Sequence, residues 1–190
     1  MSDPADLPDA SVSIGWLTAN LKNGKLEGLS TLTRQCDCCI TWNFDEDVSW
    51  PWKDPGTASW TGTVRLTDLK VDYTAKVSGV SKDVSGTVSY VDFAISADIE
   101  SCDPIQISLT QCNVTIGQID VSVGSGWLDS VAGSIVAKAT TKVSNYLNYD
   151  FEDELRNAIQ DYLENESYFA SVCSSIFSAM SIDFFDFRDY

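Results

Sequence analysis

No histidine occurs anywhere in the 190 residues. That absence excludes every serine–histidine and cysteine–histidine nucleophile pair and every histidine-ligated metal site. Basic residues are scarce: 12 stand against 28 acids, for a formal charge of -16 and a sequence pI near 4.1. A field of that sign repels nucleic acid and anionic membrane surfaces, and so disfavours DNA binding, RNA binding and the grasping of endotoxin. No apolar run approaches the roughly 20 residues that cross a bilayer, and mean hydropathy is -0.07; no transmembrane segment is expected. The chain also lacks a phosphate-cradling glycine loop, a dinucleotide fingerprint and the spacing of a calcium loop. The runs "FDEDVSW" and "YDFEDE" could supply two acids for glycoside hydrolysis. With 28 acids, however, such runs arise from composition and usually form solvated faces. The expectation is a protein that is not an enzyme, with no metal and no cofactor.

Six cysteines are present: Cys36, Cys38, Cys39, Cys102, Cys112 and Cys173. They do not form paired CxxC knuckles, so a zinc ribbon is disfavoured and disulfides are the better reading. Cys38 and Cys39 are adjacent, and one peptide unit rarely permits a bridge between neighbours. The pairing is otherwise open. The cluster "CDCC" could hold a soft metal, but it lacks a histidine or a second cluster. Two sequons, at Asn113 and Asn165, agree with glycosylation in a secretory pathway. The opening "MSDPADLPDA" has neither the basic nor the apolar region of a signal peptide. It reads as a mature secreted, extracellular chain with an initiator methionine attached, the alternative being a cytosolic protein with free thiols.

What the chain has is alternation that repeatedly loses step. In "WTGTVRLTDLKVDY", Val64 and Leu66 alternate with polar neighbours, then Leu69 follows after three positions, and Val71 and Tyr73 alternate again. In a flat strand that gap would send the second run to the opposite face. The same slip separates Trp16 from Leu17, which follows Val12 and Ile14 on the other phase. It separates Val88 and Tyr90 from Val91, Phe93 and Ile95, and Leu109 from Cys112, and Ile116 from Ile119. If each slip is a β-bulge, the extra residue returns the apolar side chains to one face while bending the strand. Long strands curled along their length then form an antiparallel sheet that wraps around something. The alternative is short strands joined by tight turns, as in a sandwich.

From Trp127 the period changes to four: Val131, Ile135, Ala139, Val143 and Leu147, then Phe151, Leu155, Ile159 and Leu163. A step of four drifts by about 40° around an α-helix, so this stripe would travel about a full turn. Either the helix breaks or apolar partners surround it. Asp150 can cap a new helix whose first turn, Glu152 to Glu154, complements the helix dipole. The spacing predicts helices over 127–148 and 151–164. A third amphipathic stretch runs from Phe169 to Met180, and "IDFFDFRDY" ends the chain. Residues 40–60, with Trp42, Trp50, Trp52 and Trp60 among prolines and acids, read as a loop. The whole, 1–190, reads as one domain with a flexible N-terminus over 1–10 and a tail over 181–190.

These residues carry a resemblance. The stretch "CNVTIGQIDVSVGSGWLDSVAGSIV", a strand cysteine followed by alternation and then a Gly-Trp-Leu opening a long helix, resembles the bactericidal/permeability-increasing protein family. "GKLEGLSTLTR" and "GTVRLTDLKVDY" resemble that family's repeating strands. The superfamily is the tubular lipid-binding one, with PLUNC proteins, insect takeout and juvenile-hormone-binding proteins and mite group 7 allergens. The resemblance covers about residues 11–165. It implies an α+β fold in which a long, strongly curved antiparallel sheet wraps a long helix, as a single half of the bactericidal protein's architecture, and leaves an apolar tunnel for lipid. It also implies a disulfide from the strand before the helix to the helix. Cys112 matches the strand member, but helix 127–148 has no cysteine, and the nearest candidate partner is Cys173. Family members usually begin with a long helix, whereas this chain opens on strand-like residues. The basic residues that grip lipopolysaccharide in some members have no counterpart, with only Lys138, Lys142 and Arg156 across the helical stretch.

The expected function is a secreted carrier for an elongated hydrophobic small molecule, such as a fatty acid, phospholipid, terpenoid or polyene. Leu66, Val71, Tyr73, Phe93, Ile95, Ile116, Val131, Ile135 and Val143 are the expected lining. The alternative is a surface-active or adhesive extracellular protein with a filled core, acting through exposed apolar loops.

Overall fold

The computed structural model describes residues 3–35, 39–43, 57–102 and 105–165. Among these residues nine strands form one antiparallel sheet: β1 (Ala5–Leu7), β2 (Ala10–Ile14), β3 (Leu17–Glu27), β4 (Thr33–Arg34), β5 (Cys39–Asn43), β6 (Thr57–Val77), β7 (Val80–Cys102), β8 (Ile105–Ile116) and β9 (Ile119–Val123). Across the sheet β3 pairs with β6 and β6 with β7, while β8 and β9 share the far side of β7. Two long strands dominate. β6 and β7 pair from Ala58↔Ile99 to Val77↔Val80 around a two-residue turn. Ser78 and Gly79 both have positive φ there, 48° and 85°, as a type I′ hairpin turn requires.

The slips at 66–69 and 88–91 lie inside unbroken strands, which supports bulged, bent strands over short strands joined by turns. Their form is specific. Leu66 faces Val91 and Leu69 faces Val88, so β6 and β7 each carry one extra residue at the same level and keep their register. On β6 the extra residue is Asp68, at φ 57°, a left-handed conformation that aspartate tolerates better than most. The next line of chain slips there too. Ile116 faces Val91 and Ile119 faces Val88, with Gly117 and Gln118 between them. The Ser89 N–H donates to the Gln118 carbonyl at 3.0 Å, and the Gly117 N–H to the Tyr90 carbonyl at 2.9 Å. On the other flank β3 has ended at Glu27↔Lys70. A 3-10 turn, Leu29–Thr31, takes its place, and the Thr67 N–H donates to Thr31 Oγ1 at 3.2 Å. One transverse crease therefore crosses the sheet at a single level. Inner-face pairs stay apolar on both sides of it: Val64↔Phe93↔Val114 and Leu66↔Val91↔Ile116 before, Tyr73↔Val84↔Val123 after.

Other slips resolve differently. That between Ile14 and Leu17 is a two-residue hairpin turn and not a bulge, with Gly15 at φ 62° and Ile14 paired to Leu17. A glycine at that position turns the chain at no steric cost. The gap between Leu109 and Cys112 is a bulge at Thr110, because Ala97↔Leu109 is followed by Ser96↔Gln111. A further bulge in β3, between Lys22 and Lys25, has no apolar signature, since Gly24 occupies the inward position. A Cβ at Gly24 would stand 2.3 Å from Cε1 of Tyr73, so glycine gives that ring its room.

Helix α1 (Asp129–Asn145) runs through a π turn (Tyr146–Asp150) into α2 (Phe151–Asn165) without a break. The expected break at Asp150 is corrected by that turn. A π turn holds more residues than an α turn, so a step of four falls short of a full revolution inside it and reverses the drift accumulated along α1. Val131, Ile135, Ala139, Val143, Leu147, Phe151 and Leu155 are consequently all buried on one seam. The sheet curls so that its lateral strands β2 and β9 both pack on α1, as do β3 and β6, while α2 packs on β8. The architecture is the expected one, a curved antiparallel sheet around a long helix.

Three boundaries shift. β1 pairs with β3, with Ala5 and Leu7 buried and the Asp3 carboxylate accepting the N–H groups of Gly28 and Ser30 at 2.9 Å. The N-terminus is anchored from residue 3, which corrects the expected flexible 1–10. The expected loop 40–60 is strand at both ends, Trp42 lying in β5 and Trp60 in β6 opposite Ala97. Trp50, Trp52, the stretch 169–180 and the tail 181–190 lie outside the described residues.

Candidate functional site

The inner face of the sheet and the inner stripe of the helix meet in one apolar seam. Leu66, Val71, Tyr73, Phe93, Ile95, Val131, Ile135 and Val143 all belong to its buried cluster, and Ile116 packs against it half-buried. The sequence pattern thus names residues that the fold brings together. Tyr146, Leu147, Phe151 and Leu155 complete the middle of the seam, with the Phe93 and Phe151 ring centroids 5.4 Å apart. Leu147, Phe151 and Leu155 are legible from the four-residue period. Tyr146 is not, because it turns inward only through the π turn. Burial pushes the Tyr146 and Tyr73 hydroxyls up to about 12 each, so both are neutral at any physiological pH. Apart from these two hydroxyls, no polar or charged side chain among the described residues is buried. The seam therefore offers hydrocarbon and aromatic contact and no anchored charge.

Its two sides differ. Leu66, Val71, Phe93, Ile135 and Val143 have 0% exposure, which means that no water-sized space touches them. Along β8 and β9, by contrast, Leu109, Cys112, Val114, Ile116, Ile119, Val121 and Val123 are only half-buried, as are Trp127, just before α1, and Ile159 on α2. Polar side chains bridge that flank. The Leu109 N–H donates to Gln160 Oε1 at 3.2 Å, and Arg156 Nη2 donates to the Leu109 carbonyl at 2.9 Å. The helix thereby satisfies both backbone groups of the residue next to the Thr110 bulge.

Cys112 lies on the same flank as a free thiol. Burial first, and the Glu152 carboxylate second, push it up to about 11. Cys112 is not bridged to another described cysteine, and its side chain faces Glu152 and Arg156 on α2; Cys173, the partner that the resemblance offers, lies outside the described residues. Cys36 and Cys38 also lie outside them, and Cys39 and Cys102 fall in β5 and at the end of β7. Asn113 is exposed on the outer face of β8, whereas Asn165 ends α2. The outer face is polar. Above Gly86 it carries an open groove of about 450 Å³ lined by Lys70, Asp72, Ser85, Thr87, Asp120 and Ser122. No helix among the described residues is long and apolar enough to cross a membrane.

No protein-family model and no curated protein sequence matches the chain. Among solved structures it is similar to lipopolysaccharide binding protein, at 11% identity and a TM-score of 0.47, over 84% of this chain and 34% of that one. It is also similar to Takeout 1 of Epiphyas postvittana, at 14% identity and a TM-score of 0.35, over 88% of this chain and 79% of that one. These are likenesses of fold. The chain spans about a third of the length of the lipopolysaccharide binding protein chain it matches.

Proposed function

We propose that the protein is an extracellular carrier that holds an elongated apolar molecule between the curved sheet and its helix. One observation carries this reading: the lateral strands β2 and β9 both close on the same helix, around a seam in which no charged side chain among the described residues is buried. A fatty acid, phospholipid, terpenoid or polyene chain matches such a lining. The work is solvation without chemistry, each buried methylene contributing about 0.8 kcal/mol. Because the central residues touch no open space, the ligand has to exchange with existing contacts as it enters. Stripping Val131, Ile135, Val143, Leu147, Phe151 and Leu155 from the sheet together would cost on the order of 10 kcal/mol, comparable with the whole stability of a domain. Ingress along the half-buried β8–β9 flank avoids that cost, since contacts there are replaced one at a time.

The closed centre of the seam favours a second reading, in which the interior is plain core and the protein acts at surfaces. Ile135→Trp separates the two. In a close-packed core the added volume destabilises by about 1–3 kcal/mol. In a carrier the same packing cost applies, because Ile135 touches no open space in the ligand-free protein, and uptake of a fluorescent fatty acid falls as well. A large stability loss with uptake unchanged refutes the carrier. Organic extraction of protein from its natural source, followed by mass spectrometry, then identifies the cargo.

A further inference from the structure

Four large apolar side chains among the described residues are strongly exposed, and three of them gather at one end of the sheet. Trp16, 91% exposed, is the second residue of the β2–β3 turn, and Val80, 51% exposed, opens β7 just past the β6–β7 turn. Ala19 pairs with Val77, which brings these two hairpin tips side by side. Leu128, 73% exposed, caps α1 at the end of the connection from β9. That connection is tied to the same end: the Gly124 N–H donates to the Asp83 carbonyl at 3.1 Å, and Lys82 Nζ to the Ser125 carbonyl at 2.7 Å. Neighbouring strands stand about 4.8 Å apart, so tips spread over β2, β3, β6, β7 and β9 fall within roughly 20 Å. The fourth exposed side chain, Tyr149, lies 21 residues farther along the helix.

Charge decides what such a tip can meet. The segments 13–18, 76–83 and 123–130 contain Lys76, Lys82, Asp83 and Asp129 and no other charged residue, so they sum to zero in a chain of -16. The rest of the contact segments is serine, glycine, threonine and apolar residues. An anionic or strongly cationic partner finds no complementary charge there. A zwitterionic lipid surface needs none, and tryptophan is the side chain best suited to lie at its headgroup level.

We propose that this end, through Trp16, Val80 and Leu128, docks on a neutral lipid–water interface. The proposal rests on the carrier reading, and deepens it by naming where cargo is collected and delivered: an elongated apolar molecule has negligible free concentration in water, so a carrier gains by touching the lipid phase itself. Apolar insertion is also insensitive to salt, unlike attraction between exposed charges.

The test is flotation of the full chain with phosphatidylcholine vesicles, comparing wild type with Trp16→Ser/Val80→Ser/Leu128→Ser. These positions are exposed, and unchanged far-UV circular dichroism and melting temperature confirm an intact fold. Wild type is expected to float equally at low and high salt, and the triple variant to bind at least tenfold more weakly. Transfer of a fluorescent fatty acid from vesicles should slow in the variant, while equilibrium uptake from aqueous monomers stays the same. Uptake by both proteins with no flotation of wild type overturns the docking site and leaves the carrier standing; no uptake by either overturns the carrier. Equal flotation of wild type and variant overturns the assignment to this tip. Loss of a wild-type dimer in the variant, without vesicle binding, overturns it in favour of a second copy as partner.

Discussion

Gly117→Ala tests the crease. A Cβ built at Gly117 stands 2.4 Å from Ser89 Oγ and 2.7 Å from Tyr90 Cε1, both well inside van der Waals contact. The serine hydroxyl can rotate away. The tyrosine ring cannot do so freely, because the Arg65 guanidinium sits over it at 4.7 Å and is itself held by two hydrogen bonds to Asp92, at 2.6 and 2.7 Å. Moving the backbones apart instead breaks the Ser89–Gln118 and Gly117–Tyr90 hydrogen bonds that span the crease. Either response resembles overpacking, at about 1–3 kcal/mol, or a fall in melting temperature of roughly 2–12 °C for a chain of this size. Urea unfolding with an unchanged slope measures the loss. Gly133→Ala is the matched control: a Cβ there meets nothing within 4 Å, and removing a mid-helix glycine should stabilise by about 0.5–1 kcal/mol. In a Tyr90→Ala background most of the Gly117→Ala penalty should vanish. If Gly117→Ala matches wild type while Gly133→Ala stabilises, the crease is loose and the steric argument fails.

Three further outcomes are expected. Gly24→Ala should destabilise more than Gly117→Ala, because its Cβ meets Tyr73 Cε1 at 2.3 Å and Leu7 Cβ at 2.8 Å; Tyr73→Val should restore much of the loss, and an additive double variant would contradict the contact. The Cys112 thiol, at about 11 against an ordinary 9, should alkylate about a hundredfold more slowly in the native than in the unfolded protein near pH 8, from thiolate fraction alone; equal rates, measured by mass spectrometry on the Cys112 peptide, would show it open to solvent. Hydrogen bonds from Arg65 hold the Asp92 carboxyl below its ordinary 3.8, so the unfolded chain takes up this proton first and the stabilisation is lost as pH falls below about 4 toward the lower native value. The stability gap between wild type and Asp92→Asn should therefore be constant above that range and shrink within it; a gap unchanged to pH 2 would argue against the pair.

How much of this was legible in the sequence depends on whether a feature leaves a mark on apolar spacing. The slips at 66–69, 88–91 and 109–112 are visible because apolar residues flank them on both sides, and the curled sheet follows from them. The bulge at Gly24 is silent, since glycine stands where the inward side chain would be. The turn at Gly15 and Trp16 imitates a bulge in spacing alone, and only the pairing of Ile14 with Leu17 distinguishes them. The helix stripe is legible to Leu155, yet its drift admits two solutions. A break and a π turn both reset the phase, and no local residue in "NYLNYD" chooses between them; packing of Tyr146 and Leu147 against the sheet does.

Spacing says which face is apolar and is mute on how closely two such faces approach. Leu66 and Ile116 sit in the same alternating pattern, both immediately before the crease and level with Val91, yet the first is sealed and the second half-open. The difference comes from position across the sheet. Leu66 lies on β6, with β7 on one side and the helix above, so every direction around it is filled. Ile116 lies on β8, beyond which no strand pairs among the described residues, and the helix alone covers it. On that flank the backbone of Leu109 depends on Gln160 and Arg156 for its hydrogen bonds, and these side chains can exchange to water at little net cost, where the β6–β7 ladder cannot. The seam is accordingly sealed along β6 and β7 and half-exposed along β8 and β9, and it is the half-exposed side that the proposed carrier would open.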